Sequence, residues 1–329
     1  MILYTSVELP THLPQLSHQS RLMLMGSCFA THIGMRLTEA KFRCEVNPYG
    51  VLYNPLSISA ALREMMDGKQ YTESDIYYDR ECWHSPMHHG DFSAASVEET
   101  LRRINGRLSD AREALQSLDC LLLTLGTAWV YEDKETGYIV GNCHKRPEKC
   151  FRRRKLSVGE VTDEYTVLMA RLLELRPDLQ VIFTVSPIRH VRDGMHANQL
   201  SKATLLLAIE NLQQRFPAHV FYFPAYELVL DELRDYRFYA DDLVHPSEVA
   251  VGYVWERFTQ ACFAQETLHI IEECKNISRM LQHRPFHPES EEYKRFLGQI
   301  VLKIDRLNGK CPYLDFKKER ELCHTQLNR

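Results

Sequence analysis

Short apolar runs separated by longer helical patterns constrain the fold of this chain more than any other feature. The runs lie at residues 22–25, 120–125, 181–185 and 220–223, with a weaker one at 42–46. Runs of this length are typical of parallel strands that are buried on both faces. The segments with helical periodicity are 30–40, 56–66, 97–118, 158–175 and 197–216. This alternation predicts a three-layer α/β/α sandwich with a mostly parallel, flavodoxin-like sheet.

Two stretches interrupt the alternation, and a different pattern follows it. Residues 71–92 are rich in aromatic and histidine side chains, and residues 131–155 contain two glycines and end basic. Each predicts a hairpin or a long loop beside the sheet. Two helical patterns, 267–282 and 289–307, then flank a proline-containing segment. We therefore predict an α/β domain over residues 1–265 and a C-terminal helical extension over residues 266–329.

Composition excludes several kinds of partner. A net charge of −4 over 329 residues gives no basic field, which argues against nucleic acid or an anionic membrane as a general partner. The first ten residues lack the features of a signal peptide, and no apolar stretch has the length of a membrane span. The ten cysteines are scattered rather than spaced as a disulfide framework. We expect a cytoplasmic protein with reduced thiols.

The first candidate for chemistry is the junction between the first strand and the first helix. The segment 21–30 reads RLMLMGSCFA, so an apolar strand runs into Gly26 and a helix follows at once. Ser27 and Cys28 would then lie at a helix N-terminus, where the dipole and free N–H groups favour a nucleophile. A plainer interpretation makes Ser27 a helix N-cap and Cys28 a small packing residue. The pattern alone leaves both open.

The second candidate is an Asp/His pair about two hundred residues later. Asp242 precedes His245 by three positions, so a turn can bring the carboxylate to the imidazole and orient it as a base. Taken alone, this pattern is more often a capped loop. The carboxyl ends of parallel strands share one edge of a sheet, however, and we expect the pair to meet Ser27 and Cys28 there.

Together these motifs resemble the SGNH/GDSL hydrolase superfamily, which opens with Gly-Asp-Ser at this junction and closes with Asp-x-x-His-Pro. More narrowly, the chain resembles the GSCFA family, named for the run found here at residues 26–30. The resemblance covers about residues 20–250. It continues, in order, through NPYG at 47–50, LGTAW at 125–129, NCHK at 142–145, SPIRH at 186–190 and RFYADDLVHP at 237–246.

The resemblance implies roles for individual residues. Cys28 falls on the serine nucleophile of the superfamily and Ser27 on its aspartate, so Cys28 is favoured and Ser27 is the alternative. Asp242 and His245 match the catalytic dyad. Gly50 matches the glycine whose backbone N–H completes the oxyanion hole.

The third block departs from the superfamily. Where the superfamily has Gly-x-Asn-Asp, residues 126–129 read GTAW and contain no asparagine. An oxyanion donor stabilises a transition state by roughly 3 kcal/mol, so another group has to replace the missing one. Asn47, Asn142 and His144, on loops expected nearby, are the candidate donors.

Three further residues are candidates for contact with substrate. His84 and His88 lie in a histidine-rich loop, where they predict a pocket wall more strongly than a metal site. Arg189 follows the third long apolar run and would reach substrate from the end of its strand. Its plainer interpretation is a buried salt bridge.

The sequence therefore predicts an acyl-ester hydrolase or O-acyltransferase, with a carbohydrate ester as one candidate substrate. Its mechanism requires no metal or organic cofactor. The expected partner is a small-molecule or carbohydrate acyl ester, and a homodimer is left open. The alternative is a non-catalytic carbohydrate-binding or scaffold protein that retains the fold. A weaker third hypothesis is a metal-dependent hydrolase built on His84, His88 and His144.

Overall fold

A computed structural model describes residues 4–283 and 285–327 of the chain. Its strands are β1 (Arg21–Gly26), β2 (Arg43–Val46), β3 (Tyr77–Asp79), β4 (Cys82–His84), β5 (Cys120–Leu125), β6 (Trp129–Asp133), β7 (Phe151–Lys155), β8 (Gln180–Val185) and β9 (Val220–Tyr222). Its helices are α1 (Cys28–Glu39), α2 (Pro55–Asp67), α3 (Val97–Gln116), α4 (Val158–Leu175), α5 (Met195–Arg215), α6 (Ala225–Glu227), α7 (Glu248–Cys262), α8 (Gln265–Leu281), α9 (Glu291–Lys310) and α10 (Lys317–Leu327).

Five parallel strands form the central sheet in the order β2-β1-β5-β8-β9. This is the flavodoxin-like order, which confirms the predicted fold class. The chain adds β2 on one side of β1 and then crosses to add β5 on the other. The point where the strand order reverses therefore lies at the carboxyl ends of β1 and β5, where α/β proteins of this kind bind their ligands.

The side chains of β1 alternate between two hydrophobic cores, one on each face of the sheet. Met23 and Met25 belong to the core covered by α2, α3, α4 and α5. Leu22 and Leu24 belong to the core covered by α1 and α7. Burial on both faces explains why these strands read as continuous apolar runs.

The two interrupting stretches both leave the central sheet, as predicted. Strands β3 and β4 pair as one antiparallel hairpin, and β6 and β7 pair as another. Both hairpins contain charged residues along their strands, in contrast to β5, which is buried along its whole length.

The C-terminal helices α8, α9 and α10 enclose a hydrophobic cluster of their own, to which Ile270, Ile300 and Phe316 belong. Helix α8 also turns Leu268 and Ile271 toward the core under α1 and α7. The sequence patterns predicted α8 and α9 but missed α10, because Cys323 is the single buried residue of that charged helix. Across residues 4–283 and 285–327, no helix is both long and apolar enough to cross a membrane.

Candidate active site

The site begins at Gly26, where β1 passes directly into α1. Gly26 has a φ of +139°, and a Cβ added there would lie 2.1 Å from the carbonyl oxygen of Thr124 on β5. The Ser27 N–H donates to that same oxygen over 3.2 Å. Only glycine fits so close an approach in this conformation. The turn therefore starts α1 at the reversal point of the sheet.

Ser27 and Cys28 differ sharply in environment. Ser27 is 1% exposed, and its Oγ accepts the Phe29 N–H over 3.3 Å as the N-cap of α1. Cys28 is the first residue of the helix and is half-buried, with its Sγ 3.7 Å from the hydroxyl of Tyr53. The Ser27 hydroxyl thus caps α1, and the Cys28 thiol contacts the hydroxyl of Tyr53.

Tyr53 is a site residue that the sequence did not reveal. Its carbonyl accepts the N–H groups of Gly126 and Thr127 over 2.8 and 3.0 Å, and its ring edge faces His190 at 6.1 Å between centroids. Burial, reinforced by the neighbouring Cys28, raises the pKa of the phenol. The hydroxyl therefore stays protonated in neutral solution and can donate a hydrogen bond. Its sequence position, just before the N-cap of α2, carries no distinctive signal.

Asp242 and His245 form the predicted pair. The Nδ1 of His245 lies 2.6 Å from Oδ2 of Asp242, while Oδ1 accepts the N–H groups of Val244 and His245, each over 2.9 Å. The backbone and side-chain hydrogen bonds from His245 lower the pKa of Asp242 to about 2. Because the ionised carboxylate accepts the Nδ1 proton, neutral His245 carries its lone pair on Nε2, as a general base requires.

Arg189 holds the loop that carries this pair. Its guanidinium donates to the carbonyl of Leu243 and lies 4.2 Å from the ring centroid of Tyr239. Its backbone N–H points to the carbonyl of Val244 at 3.5 Å. These contacts make Arg189 a positioning residue for the loop of His245, and its predicted contact with substrate stays a prediction.

A chain of contacts connects the two halves of the site along the sheet edge. Cys28 contacts Tyr53, Tyr53 faces His190, and the neighbouring Arg189 holds the loop of His245. In the described part of the chain, Cys28 Sγ pairs with Tyr53 and the Nδ1 of His245 pairs with Asp242, and no hydrogen bond joins Cys28 Sγ to His245. In free enzymes such catalytic bonds are often long and tighten only when substrate binds.

Gly50 and Asn47 brace the β1–α1 turn, and their role as oxyanion donors stays a prediction. The amide of Asn47 accepts the Gly26 N–H and donates to Thr31 Oγ1, each over 2.9 Å. The Gly50 N–H donates to the Asn47 carbonyl over 2.7 Å, and a Cβ at Gly50 would lie 2.2 Å from His89 Cβ. Both groups are already hydrogen-bonded inside the protein.

His84 and His88 support loops rather than forming an open pocket wall. His88 is 1% exposed and stacks on Tyr49 at 4.4 Å between centroids. Burial, and secondarily the nearby His144, lowers its pKa to about 3. The two ring nitrogens of His84 lie 2.7 Å from Ser93 Oγ and 3.0 Å from the Asp79 carbonyl. Both histidines thus contact neighbouring loops, and their contacts with substrate stay predictions.

Asn142 and His144 belong to the same group of loops. The Asn142 side chain accepts the His144 N–H over 2.8 Å, and Nε2 of His144 lies 2.8 Å from the Ser85 carbonyl. These contacts join neighbouring loops, and the role of both residues as oxyanion donors stays a prediction. Within residues 4–283 and 285–327, no three His, Cys, Asp or Glu side chains are arranged to hold a metal ion.

Lys202 is a second residue that the sequence analysis missed. It is 1% exposed, and its Nζ lies 2.6 Å from the carbonyl oxygens of both Gly126 and Ser186. The amine thereby ties together the segments that follow β5 and β8. Burial lowers the pKa of Lys202 to about 7. A lysine on the buried face of α5, among Asn198, Ser201 and Leu205, is the signal that would have found it.

Comparison with known proteins identifies the family. Residues 21–258 match the GSCFA family, and residues 274–329 match the C-terminal domain of GSCFA domain proteins. The chain belongs to the GSCFA family. This confirms the resemblance seen in the sequence motifs, and the first GSCFA match spans the whole site from Gly26 to His245.

No curated protein matches the sequence of this GSCFA protein. A solved structure described as "a putative platelet activating factor from Streptococcus pneumonia" aligns with 75% of this chain and 86% of its own, with 11% identity and a TM-score of 0.36.

Proposed function

We propose that this GSCFA protein is a thiol-dependent acyl-ester hydrolase or O-acyltransferase. The observation that carries the proposal is the 2.6 Å pair of Asp242 and His245 at the sheet edge that also bears a thiol on a helix N-terminus. A nucleophile, a base and a group that orients the base are the components of acyl transfer through a covalent intermediate. The site needs no cofactor for this chemistry.

In the first half-reaction, Nε2 of His245 takes the thiol proton of Cys28, and Sγ attacks the ester carbonyl carbon. The carbonyl π electrons move to oxygen, which becomes an oxyanion. The Tyr53 hydroxyl, which already lies 3.7 Å from Sγ, is the proposed donor to that oxyanion. The Cys28 N–H, at the first position of α1, is the proposed second donor.

Collapse of the tetrahedral intermediate breaks the bond to the alkoxy oxygen, and His245 returns its proton to the departing alcohol. This leaves an acyl thioester on Cys28. In the second half-reaction His245 removes a proton from water or from an acceptor hydroxyl, whose oxygen attacks the thioester carbonyl carbon. The C–S bond then breaks, and His245 returns its proton to the departing Cys28 thiolate. Water makes the protein a hydrolase and another hydroxyl makes it a transferase.

Cys28 is a better nucleophile candidate than Ser27 for a structural reason. The Ser27 hydroxyl is buried and caps α1, so its use would uncap the helix at a typical loss of about 1 kcal/mol. The half-buried Cys28 thiol makes no such contact and lies where the helix dipole favours negative charge.

Hydrolysis of p-nitrophenyl acetate by the wild type, Cys28→Ala, Ser27→Ala and His245→Ala tests the proposal. We expect Cys28→Ala and His245→Ala to lose at least a hundredfold in kcat/KM and Ser27→Ala to keep most activity per folded molecule. Quenched reactions analysed by peptide mass spectrometry should show an acetyl group on the Cys28 peptide. Circular dichroism checks the folding of each variant.

Full activity of folded Cys28→Ala would contradict the proposed nucleophile. An acetyl group found on Ser27 and not on Cys28 in the quenched wild-type reaction would assign the role of nucleophile to Ser27. If the wild type is inactive on short and longer acyl esters, and iodoacetamide labels Cys28 equally with and without His245, the protein is a binding or scaffold relative instead.

A further inference from the structure

We infer that a cleft separate from the proposed active site binds a neutral oligosaccharide. The cleft has a volume of about 1100 Å³ and lies between α2, the β3–β4 hairpin and the segment joining β6 to β7. Small-molecule sites usually measure roughly 300–1,000 Å³, so this one has room for an oligomer. Cys28, Tyr53 and His245 are not among the described residues that line it.

Two exposed tyrosines give the cleft flat aromatic surfaces. Tyr78 is 58% exposed and Tyr138 is 76% exposed, and both line the cleft. The faces of two further lining tyrosines are already covered, Tyr71 by Lys69 at 5.2 Å and Tyr77 by Arg146 at 5.1 Å. The negative face of an aromatic ring attracts the polarised C–H groups on the flat face of a pyranose. Tyr78 also contacts Trp83, at 5.5 Å between tilted rings, but it stays 58% exposed, so Tyr78 and Tyr138 are the open stacking surfaces of the cleft.

The charges in the cleft are largely paired within its own walls. Lys69 lies 2.6 Å from Asp75, and Arg146 lies 2.7 Å from Asp133. Paired ions of this kind still present donors and acceptors to hydroxyl groups, but they create little net field.

The remaining imbalance of charge argues against an anionic ligand. The charged lining residues are six acidic ones and four basic ones, so an anion would meet a repulsive surface. A cation would find few open carboxylates, because four of the six are paired with the four basic side chains and Glu64 accepts two tyrosine hydroxyls. A neutral, hydroxyl-rich ligand fits both constraints.

The wall beneath the aromatic surfaces is preformed. Glu64 accepts the hydroxyls of Tyr71 and Tyr49 over 2.6 and 2.8 Å, and burial raises its pKa. Asn105 bonds both the N–H and the carbonyl of Tyr71, over 2.8 and 2.9 Å. Because these groups are fixed before a ligand arrives, little ordering cost accompanies binding.

Isothermal titration calorimetry with cellohexaose, xylohexaose, mannohexaose and chitohexaose tests the inference on the full chain. We expect at least one of them to bind, with an affinity that changes less than twofold between low and high salt. Tyr78→Ala and Tyr138→Ala should each weaken binding about tenfold, whereas the matched control Tyr4→Ala, an exposed tyrosine outside the cleft, should not.

The inference stands apart from the proposed acyl chemistry, so Cys28→Ala should bind the saccharide as the wild type does, whether or not that variant has lost activity. Absence of binding to all four hexasaccharides would overturn it. Stronger, salt-sensitive binding of hexagalacturonate or of a single-stranded oligonucleotide would overturn it as well, because the walls would then select charge. Equal losses of saccharide affinity in Tyr4→Ala and Tyr138→Ala would exclude the cleft as the binding site.

Discussion

The buried amine of Lys202 predicts an unusual dependence of stability on pH. Burial lowers the pKa of this group from 10.5 to about 7, whereas the unfolded chain keeps the ordinary value. Between pH 7 and 10.5 the unfolded state therefore binds a proton that the folded state has released. Stability rises with pH across this window and is independent of this group below and above it.

The size of the effect follows from the two pKa values. Each pH unit in the window corresponds to about 1.4 kcal/mol, so the whole difference is of the order of 5 kcal/mol. At pH 7 the amine of the folded protein is still partly protonated. The gain in the free energy of unfolding from pH 7 to pH 9 is therefore about 2 kcal/mol. Full burial of the amine means that solvent screening does not reduce this figure.

Lys202→Met isolates the contribution of this residue. The substitution removes the titrating amine but leaves the carbonyls of Gly126 and Ser186 without a donor, at a loss of roughly 1–3 kcal/mol each. These losses offset much of the stability that the variant gains at pH 7 because it no longer buries an ammonium group. We therefore expect similar stabilities at pH 7 and a clear advantage for the wild type at pH 9.

Urea unfolding at pH 7, 8 and 9 measures the difference, with Lys303→Met, an exposed lysine on α9, as the control. Other titrating groups cancel when wild type and variant are compared at the same pH. The free energy of unfolding of the wild type and of Lys303→Met should rise relative to Lys202→Met by about 2 kcal/mol over this range. Parallel curves for all three proteins would refute a depressed pKa at Lys202.

Three further substitutions test the turn and the proposed chemistry. Gly26→Ala should lower the free energy of unfolding by more than about 3 kcal/mol in urea titrations, because the added Cβ would overlap the Thr124 carbonyl. A loss below about 1 kcal/mol would contradict this packing. Tyr53→Phe should keep its stability and lose about 10²–10³-fold in kcat/KM, and unchanged hydrolysis would exclude the phenol as the oxyanion donor. Asp242→Asn should lose at least tenfold in kcat with KM nearly constant, because the amide no longer fixes the tautomer of His245. A rise in KM with kcat unchanged would indicate that Asp242 contacts the substrate instead.

The sequence predicted the central sheet well because its signal is local. Strand β5 was predicted at its full observed length, since a run of six residues with five apolar side chains is visible without knowledge of the fold. Strand β2 was the weakest prediction, and it begins with the exposed Arg43 and contains no fully buried residue. The Asp242–His245 pair was equally local, because a turn of three residues brings the two side chains together.

The contacts that the sequence did not reveal depend on tertiary hydrogen bonds. The resemblance marks Gly50 as an oxyanion donor, and Asn47 was a candidate replacement for the missing asparagine, but the fold also uses the amides of both residues to brace the β1–α1 turn. Lys202 was overlooked because a lysine on a helix is normally exposed, and the carbonyls that it binds come from two distant segments. No local pattern records either fact.

The missing asparagine of the third block and the position of Tyr53 have a common structural explanation. In this chain the N–H groups of Gly126 and Thr127 donate to the Tyr53 carbonyl, and the Ala128 N–H donates to Ser201 Oγ over 2.7 Å. The loop that would supply an asparagine in the superfamily is thus used to anchor a tyrosine, whose hydroxyl lies beside Cys28. A phenol held in this way can donate the hydrogen bond that the asparagine would have given. Under the proposed mechanism, loss of one donor and recruitment of another are one rearrangement of the same loop, and a loss of activity in Tyr53→Phe would favour a modified catalytic site over a decayed one.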